Sequence, residues 1–317
     1  MAKERLKFGL VLGGGAARGW AHLGVIRTLQ QAGLYPDLVC GTSIGAMVGA
    51  ALASGELHRF ENWVRQLRLM DVVGLMDIGL AGGLLKGDRL VDFFNKTYPD
   101  RPISDLGMPF AAVATDLRTG AEVWLKDGST SAAVRASIAL PGLLTPKVVG
   151  GRTLVDGGLV NPVPVSLARA MGADVVLAVS LNADLVGRHL RQESSSASPV
   201  PEDSGQPWFG DFSGRVGSRL AQMFRGDGSG TPSMFEVVST SISIMQVSIT
   251  RSRLASEPPD VTVTPKVSQI GLMEFHRAAE AIEAGHQAAV QILPALRECL
   301  GPGWSPAGTG TGNHLGG

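Results

Sequence analysis

The sequence contains little cysteine, no excess of either charge and no long apolar run. Its two cysteines, Cys40 and Cys299, provide neither a disulfide framework nor a metal cluster. Basic and acidic residues number 28 each, and no basic stripe indicates nucleic-acid binding. No run is long enough to span a membrane, and the one at 8–12 is too short for a signal peptide. We therefore expect a cytoplasmic protein with no metal, cofactor or nucleic-acid partner; the oligomeric state stays open.

The chain is rich in glycine, and short apolar segments alternate with amphipathic ones, which is typical of an α/β fold with a largely parallel sheet. The glycines at 150–151 predict a tight turn that joins two strands into a hairpin. Because the strands of a hairpin are antiparallel, the sheet is predicted to be mixed. A stripe over 235–249 favours a helix, although alternation over 239–250 leaves a strand open. The predicted strands are 7–12, 37–40, 110–115, 122–126, 147–155, 174–181 and 260–265, and the predicted helices are 20–32, one ending at 54, 56–71, 163–171 and 273–300, the last interrupted at Pro294.

Composition also divides the chain. We predict one domain over 5–300, with a low-complexity insertion at about 184–233 that is rich in Ser, Pro, Gly and Asp. Residues 301–317 are predicted to be a disordered tail.

A serine lies on a predicted strand-to-helix turn, in the segment Gly41-Thr42-Ser43-Ile44-Gly45. Such a turn strains the backbone of the serine and requires small flanking residues, because neighbouring backbone comes close. The small-residue helix that follows directs its N-terminus at Ser43 and favours negative charge there. Ser43 is therefore a candidate nucleophile. The alternative is a serine that only caps the helix.

A second turn, 13–19, follows the first predicted strand and opens a helix. Its glycine spacing does not fit a dinucleotide fingerprint or a P-loop. It instead predicts a nest of backbone N–H groups that can bind a phosphate or a developing oxyanion. Arg18 either steadies this loop, attracts an anionic head group or forms a structural ion pair. His22, one turn into the helix, is expected to be a packed, hydrogen-bonded residue.

A nucleophilic serine needs a base, and the histidines are poor candidates. A Ser-His-Asp hydrolase would require His276 or His286 near Ser43, and both fall on a predicted amphipathic helix. One carboxylate, Asp156, ends the hairpin strand and precedes Gly157 and Gly158. This spacing alone favours a turn-forming aspartate, because Asp-Gly is a strong turn signal.

Taken in order, the glycine turn with Arg18, the serine turn and Asp156-Gly157-Gly158 resemble the patatin-like phospholipases, in particular their short bacterial RssA-type branch. The resemblance runs from about residue 7 to 181 and, more weakly, from 259 to 300. It implies a three-layer α/β/α sandwich with a mainly parallel, mixed central sheet. It also implies Ser43 as nucleophile, Asp156 as general base and no catalytic histidine. The N–H groups of the oxyanion hole would be those of Gly14, Gly15 and Ala16, and the supporting residues would be Gly13, Arg18, Gly19, Gly41, Gly45, Gly157 and Gly158.

The resemblance implies a serine hydrolase that cleaves acyl esters of phospholipids or lysophospholipids through an acyl-enzyme. The alternatives are a general carboxylesterase or thioesterase, and a non-catalytic regulator that binds lipid or protein. Residues 69–85 mix apolar side chains with glycines and show no clean period. One hypothesis is a mobile lid or wall that receives an acyl chain or touches the inner face of the membrane; the other is buried loop packing.

Overall fold

The computed structural model describes residues 5–68, 100–182 and 234–306 of the chain. The proposed lid at 69–85, the insertion predicted at about 184–233 and residues 307–317 of the predicted tail lie outside the described residues, so they stay predictions.

The strands of the described residues are β1 Phe8–Leu12, β2 Leu38–Thr42, β3 Phe110–Asp116, β4 Glu122–Leu125, β5 Lys147–Val149, β6 Arg152–Asp156, β7 Val175–Val179 and β8 Val261–Val263. These eight strands form one mixed sheet in the order β5-β6-β3-β2-β1-β7-β8, and β4 pairs with β3. The strands β1, β2, β3, β7 and β8 run parallel, whereas β4, β5 and β6 are antiparallel to their neighbours. The predicted hairpin is confirmed as β5 and β6.

Helices cover both faces of the sheet, which gives three layers. The central strands are buried on both sides and read as continuous apolar runs, as parallel strands between two helical layers do. The described helices are α1 Ala21–Gln31, α2 Ile44–Ala53, α3 Leu57–Gln66, α4 Thr130–Ser137, α5 Val165–Ala170, α6 Met234–Ser256 and α7 Ala278–Leu300. Side chains such as Leu10 pack with α1 and α7 on one face of the sheet, and those such as Val11 pack with α5 on the other.

Three expectations need correction. The segment after 234 is the helix α6, so the strand alternative is wrong. The predicted break at Pro294 is also wrong, because α7 continues through it and is held on either side by the buried Ala289 and Leu296. Residues 301–306 were predicted to belong to a disordered tail, but they pack against the domain. The Trp304 indole lies edge-on against Phe8 and donates a hydrogen bond to the carbonyl of Leu6. None of the described helices is both long and apolar enough to cross a membrane.

Candidate active site

Ser43 occupies the single residue between the end of β2 and the start of α2. Its backbone has φ 56° and ψ −126°, and Ser43 and Ala16 are the two non-glycine residues with positive φ among those the structure describes. A left-handed conformation costs a non-glycine residue free energy and persists only where the surroundings enforce it. The serine is therefore held in a strained turn at the N-terminus of a helix.

Close backbone packing enforces this turn. A Cβ on Gly41 would lie 2.4 Å from the carbonyl of Gly45, and a Cβ on Gly45 would lie 2.0 Å from the carbonyl oxygen of Leu12. The expectation that both flanking positions must be small is confirmed.

A second serine, which the sequence analysis did not single out, supports the turn from α4. Ser137 Oγ accepts the backbone N–H of Ser43 at 2.8 Å and donates to the carbonyl of Val113 at 2.7 Å. One buried hydroxyl thus links the serine turn to strand β3.

Asp156 lies beside Ser43, as the last residue of β6. Ser43 Oγ donates a hydrogen bond to Asp156 Oδ2 at 2.6 Å, and the N–H of Gly158 donates to Asp156 Oδ1 at 2.7 Å. Gly157 passes close to β3, where a Cβ would lie 2.3 Å from the carbonyl oxygen of Val113. Spacing alone favoured a turn-forming role for Asp156. In the structure its carboxylate accepts hydrogen bonds both from the turn, at Gly158, and from Ser43.

Burial makes this carboxylate a stronger base than an ordinary aspartate. Asp156 is 1% exposed, and desolvation raises its pKa to about 6, while the hydrogen bonds from Ser43 and Gly158 lower the pKa by less. At neutral pH the group is still ionised and can accept a proton from the serine.

No histidine in the described parts of the chain contacts Ser43 or Asp156. His22 is buried, with Nε2 2.8 Å from the carbonyl oxygen of Gly13, and desolvation lowers its pKa to about 4, so it is neutral. His286 Nδ1 lies 2.8 Å from Thr28 Oγ1, whereas His276 is exposed. The packed role expected for His22 is confirmed, and the Ser-His-Asp alternative has no support.

The glycine turn lies next to the serine, since a Cβ on Gly14 would be 3.5 Å from the Cβ of Ser43. Gly14 N–H already donates to the carbonyl of Pro162 at 2.9 Å, so the expectation that it is free for an oxyanion does not fit the structure. Gly15 and Ala16 follow, and within the described residues their N–H groups have no acceptor. Ala16 has φ 49°, which shows that the nest is also strained.

Arg18 is buried beneath this turn. Its Nε donates to the carbonyl of Ile270 at 2.8 Å, and Nη1 has no partner among the described residues. Desolvation lowers its pKa. Because no carboxylate is bonded to it in that part of the chain, the structural ion pair is not observed, and the contact with residue 270 fits the role of steadying the loop.

The sequence that forms this site is similar to the sequences of known proteins. The family profile described as "Patatin-like phospholipase" matches residues 10–169, about half of the chain, and spans the glycine turn, Ser43 and Asp156. This chain belongs to the patatin-like phospholipase family. An uncharacterized NTE family protein of Mycobacterium tuberculosis is 33% identical over an alignment 336 positions long, which covers 90% of this chain and 91% of that protein.

Other similarities are more limited. Human patatin-like phospholipase domain-containing protein 6 is 37% identical over 180 residues, covering 54% of this chain but 13% of the human protein. Among solved structures, VipD from Legionella pneumophila aligns with a TM-score of 0.45 at 15% identity, covering 93% of this chain and 67% of VipD. The family assignment rests on the profile and on the mycobacterial relative.

Proposed function

We propose that this chain is a lipolytic serine hydrolase of the phospholipase A or lysophospholipase type, with Ser43 as nucleophile and Asp156 as general base. The observation that carries the proposal is the 2.6 Å hydrogen bond from Ser43 Oγ to a buried Asp156 carboxylate, in a strained turn at a helix N-terminus. A serine that only capped the helix would not need a buried carboxylate as its partner.

The proposed reaction has two steps. In the first, Asp156 takes the hydroxyl proton of Ser43 as the serine oxygen attacks the ester carbonyl, and the departing alcohol then receives that proton. The N–H groups of Gly15 and Ala16 stabilise the oxyanion of each tetrahedral intermediate. In the second step, Asp156 takes a proton from the water that attacks the acyl-enzyme and then gives that proton to Ser43 Oγ as the bond to the acyl group breaks, so the fatty acid leaves and the enzyme is regenerated.

An aspartate suits this role because of its environment. An exposed aspartate is a poor base towards a hydroxyl, whereas the raised pKa of Asp156 brings its proton affinity closer to the working pH. The helix N-terminus at Ser43 adds a favourable field for the negative charge that develops there.

The lipid substrate is supported by family membership and by the similarity to a human protein named as a patatin-like phospholipase domain-containing protein. Assignment to the RssA-type branch stays a proposal, since the relative that matches nearly the whole chain carries the NTE family name. Contact with the inner face of the membrane is likewise a proposal.

The test is release of fatty acid from lysophosphatidylcholine micelles and phosphatidylcholine vesicles. We expect wild type and Ser54→Ala to be active and Ser43→Ala and Asp156→Asn to be inactive. Ser54 is a matched control because it follows the same helix α2 and its hydroxyl, within the described residues, donates only to the Ala51 carbonyl. Hydrolysis by Ser43→Ala would contradict the proposal. Activity confined to short soluble esters would favour the general carboxylesterase.

A further inference from the structure

The side chains that helix α6 buries are mostly polar. Among its described side chains the buried ones are Ser239, Ile242, Gln246 and Thr250, whereas the apolar Ile244 and Met245 are 61% and 50% exposed. An amphipathic helix normally packs the other way, because burying polar groups costs free energy unless they are hydrogen-bonded. Thr250 Oγ1 has no hydrogen-bond partner within the described residues. The polar face therefore calls for an explanation other than core packing.

Gln246 is the residue of this face that lies close to Asp156. Its Nε2 and Asp156 Oδ1 lie 2.4 and 3.0 Å, respectively, from one point, the position that a Cβ on Gly158 would take. Gln246 is 8% exposed, and its Oε1 accepts a long hydrogen bond of 3.5 Å from Nδ2 of the buried Asn182. Within the described part of the chain, Nε2 donates to no acceptor. A free amide donor therefore lies beside the proposed general base.

A contact two turns further along holds α6 in this position. Arg253 Nη2 donates to Glu122 Oε2 at 3.0 Å, and Glu122 Oε1 accepts from Asn161 Nδ2 at 2.8 Å. Asn161 in turn belongs to the loop that follows Asp156, and its carbonyl accepts from Thr42 beside the nucleophile. The helix and the Asp156 loop are thus linked, which restrains Gln246 over Gly158.

The proposed reaction indicates which part of a substrate would contact the Gln246 amide. The alcohol oxygen must come close to Asp156 to receive its proton, so the alcohol portion of the ester leaves along the side where Gln246 lies. A fatty acyl chain would gain nothing from a buried polar face and would leave the amide unpaired. A polyol has oxygens that can accept from Nε2.

We propose that Gln246, positioned by Asn182, forms a subsite for the alcohol portion of the substrate and selects esters of polyols such as glycerol over esters of simple alcohols. This inference rests on the proposed hydrolase function. Gln246 touches the leaving alcohol and takes no part in proton transfer. The subsite also depends on Gly158, because a methyl group at that position would displace the side-chain amide of Gln246.

The test compares two esters of one fatty acid, the 1-glyceryl ester and the propyl ester, which differ in the hydroxyl groups of the alcohol. In Gln246→Leu we expect kcat/KM for the glyceryl ester to fall about five- to tenfold, the factor of one neutral hydrogen bond, with the propyl ester unchanged within about twofold. The matched control is Ser248→Ala on the exposed face of α6, which should change neither ester.

Equal losses on the two esters in Gln246→Leu would show that Gln246 only positions the site, and no loss on either would show that it does not touch substrate; both overturn the inference. Thermal unfolding shows whether the variant is folded. Labelling of Ser43 by a fluorophosphonate, whose leaving group is fluoride rather than an alcohol, shows whether the serine is reactive. If Gln246→Leu does not fold, an equal kcat/KM of wild type for the two esters overturns the inference by itself. If wild type cleaves neither ester and Ser43 is not labelled, the hydrolase proposal fails and the subsite with it.

Discussion

Replacement of Asp156 by asparagine should remove activity and yet make the protein more stable at neutral pH. In the wild type, burial raises the pKa of this carboxyl from an ordinary 3.8 to about 6. The folded state therefore holds its proton more tightly than the unfolded chain, so this group stabilises the fold fully below pH 3.8 and that contribution is lost as the pH rises to about 6. Asparagine is isosteric, keeps an oxygen for the Gly158 N–H and has no charge to desolvate.

The magnitude follows from the two pKa values. A difference of about 2.2 between them corresponds to about 3 kcal/mol, of which about 2 kcal/mol is lost between pH 4.5 and pH 8. The free energy of unfolding of wild type relative to Asp156→Asn should therefore fall by about 2 kcal/mol over that range. Urea denaturation of both proteins at half-unit pH steps measures the difference, and pH effects common to both cancel.

Asp116→Asn is a matched control of opposite sign. Desolvation raises the pKa of Asp116, but the backbone N–H groups of Arg118 and Thr119 and the other contacts with these two residues lower it by more. Its stabilising contribution is present above the ordinary pKa and lost below it, so wild type relative to Asp116→Asn should stay level from pH 4.5 to 8. A level curve for Asp156→Asn, or one that rises with pH, would refute the assignment of a desolvated carboxylate with a raised pKa.

Three further predictions follow from the same geometry. Log kcat/KM for ester hydrolysis should rise with unit slope below an apparent pKa of about 6, because Asp156 must be ionised to accept the serine proton; a flat profile down to pH 4.5 would contradict this. Ser137→Ala should lower the free energy of unfolding by about 1–3 kcal/mol and reduce kcat more than it raises KM, since it leaves the Ser43 N–H without its acceptor; unchanged kinetics would argue against that support. Gly45→Ala should lower the free energy of unfolding by more than about 4 kcal/mol or prevent folding, because the added Cβ would lie 2.0 Å from the Leu12 carbonyl oxygen. In the control Gly107→Ala, at an exposed position, the free energy of unfolding should change by less than about 1 kcal/mol. A soluble, fully active Gly45→Ala would contradict the close packing at this turn.

The local parts of the fold and site were predictable from sequence. The strand-to-helix turn at Ser43 and its two small neighbours form one short segment, so the steric requirement is written in adjacent residues. The hairpin that ends in Asp156 is equally local. The contact between Ser43 and Asp156, by contrast, spans 113 positions, and the resemblance to a family rather than the spacing pointed to it.

The non-local parts were not predictable. Ser137 supports Ser43 from 94 positions away and lies in no motif with chemistry of its own, so nothing in its neighbourhood signals the role. The Gly14 N–H was expected to be free, but the chain brings the Pro162 carbonyl to it. Periodicity identified helix α6 but not the polar side that it buries, because that side is set by the groups around Asp156. Pro294 ends no helix because the buried residues on either side hold both halves of α7 in place.

The central claim is that Ser43 is a nucleophile activated by Asp156, and covalent labelling tests it most directly. Wild type, Ser43→Ala and Asp156→Asn would be incubated with a fluorophosphonate, with detergent or lipid present, and the modified peptide identified by mass spectrometry. We expect one adduct on Ser43 in wild type and none in the two variants. An adduct on another serine, or no adduct on folded wild type, would contradict the proposed role of Ser43 and favour a lipid- or protein-binding member of the family.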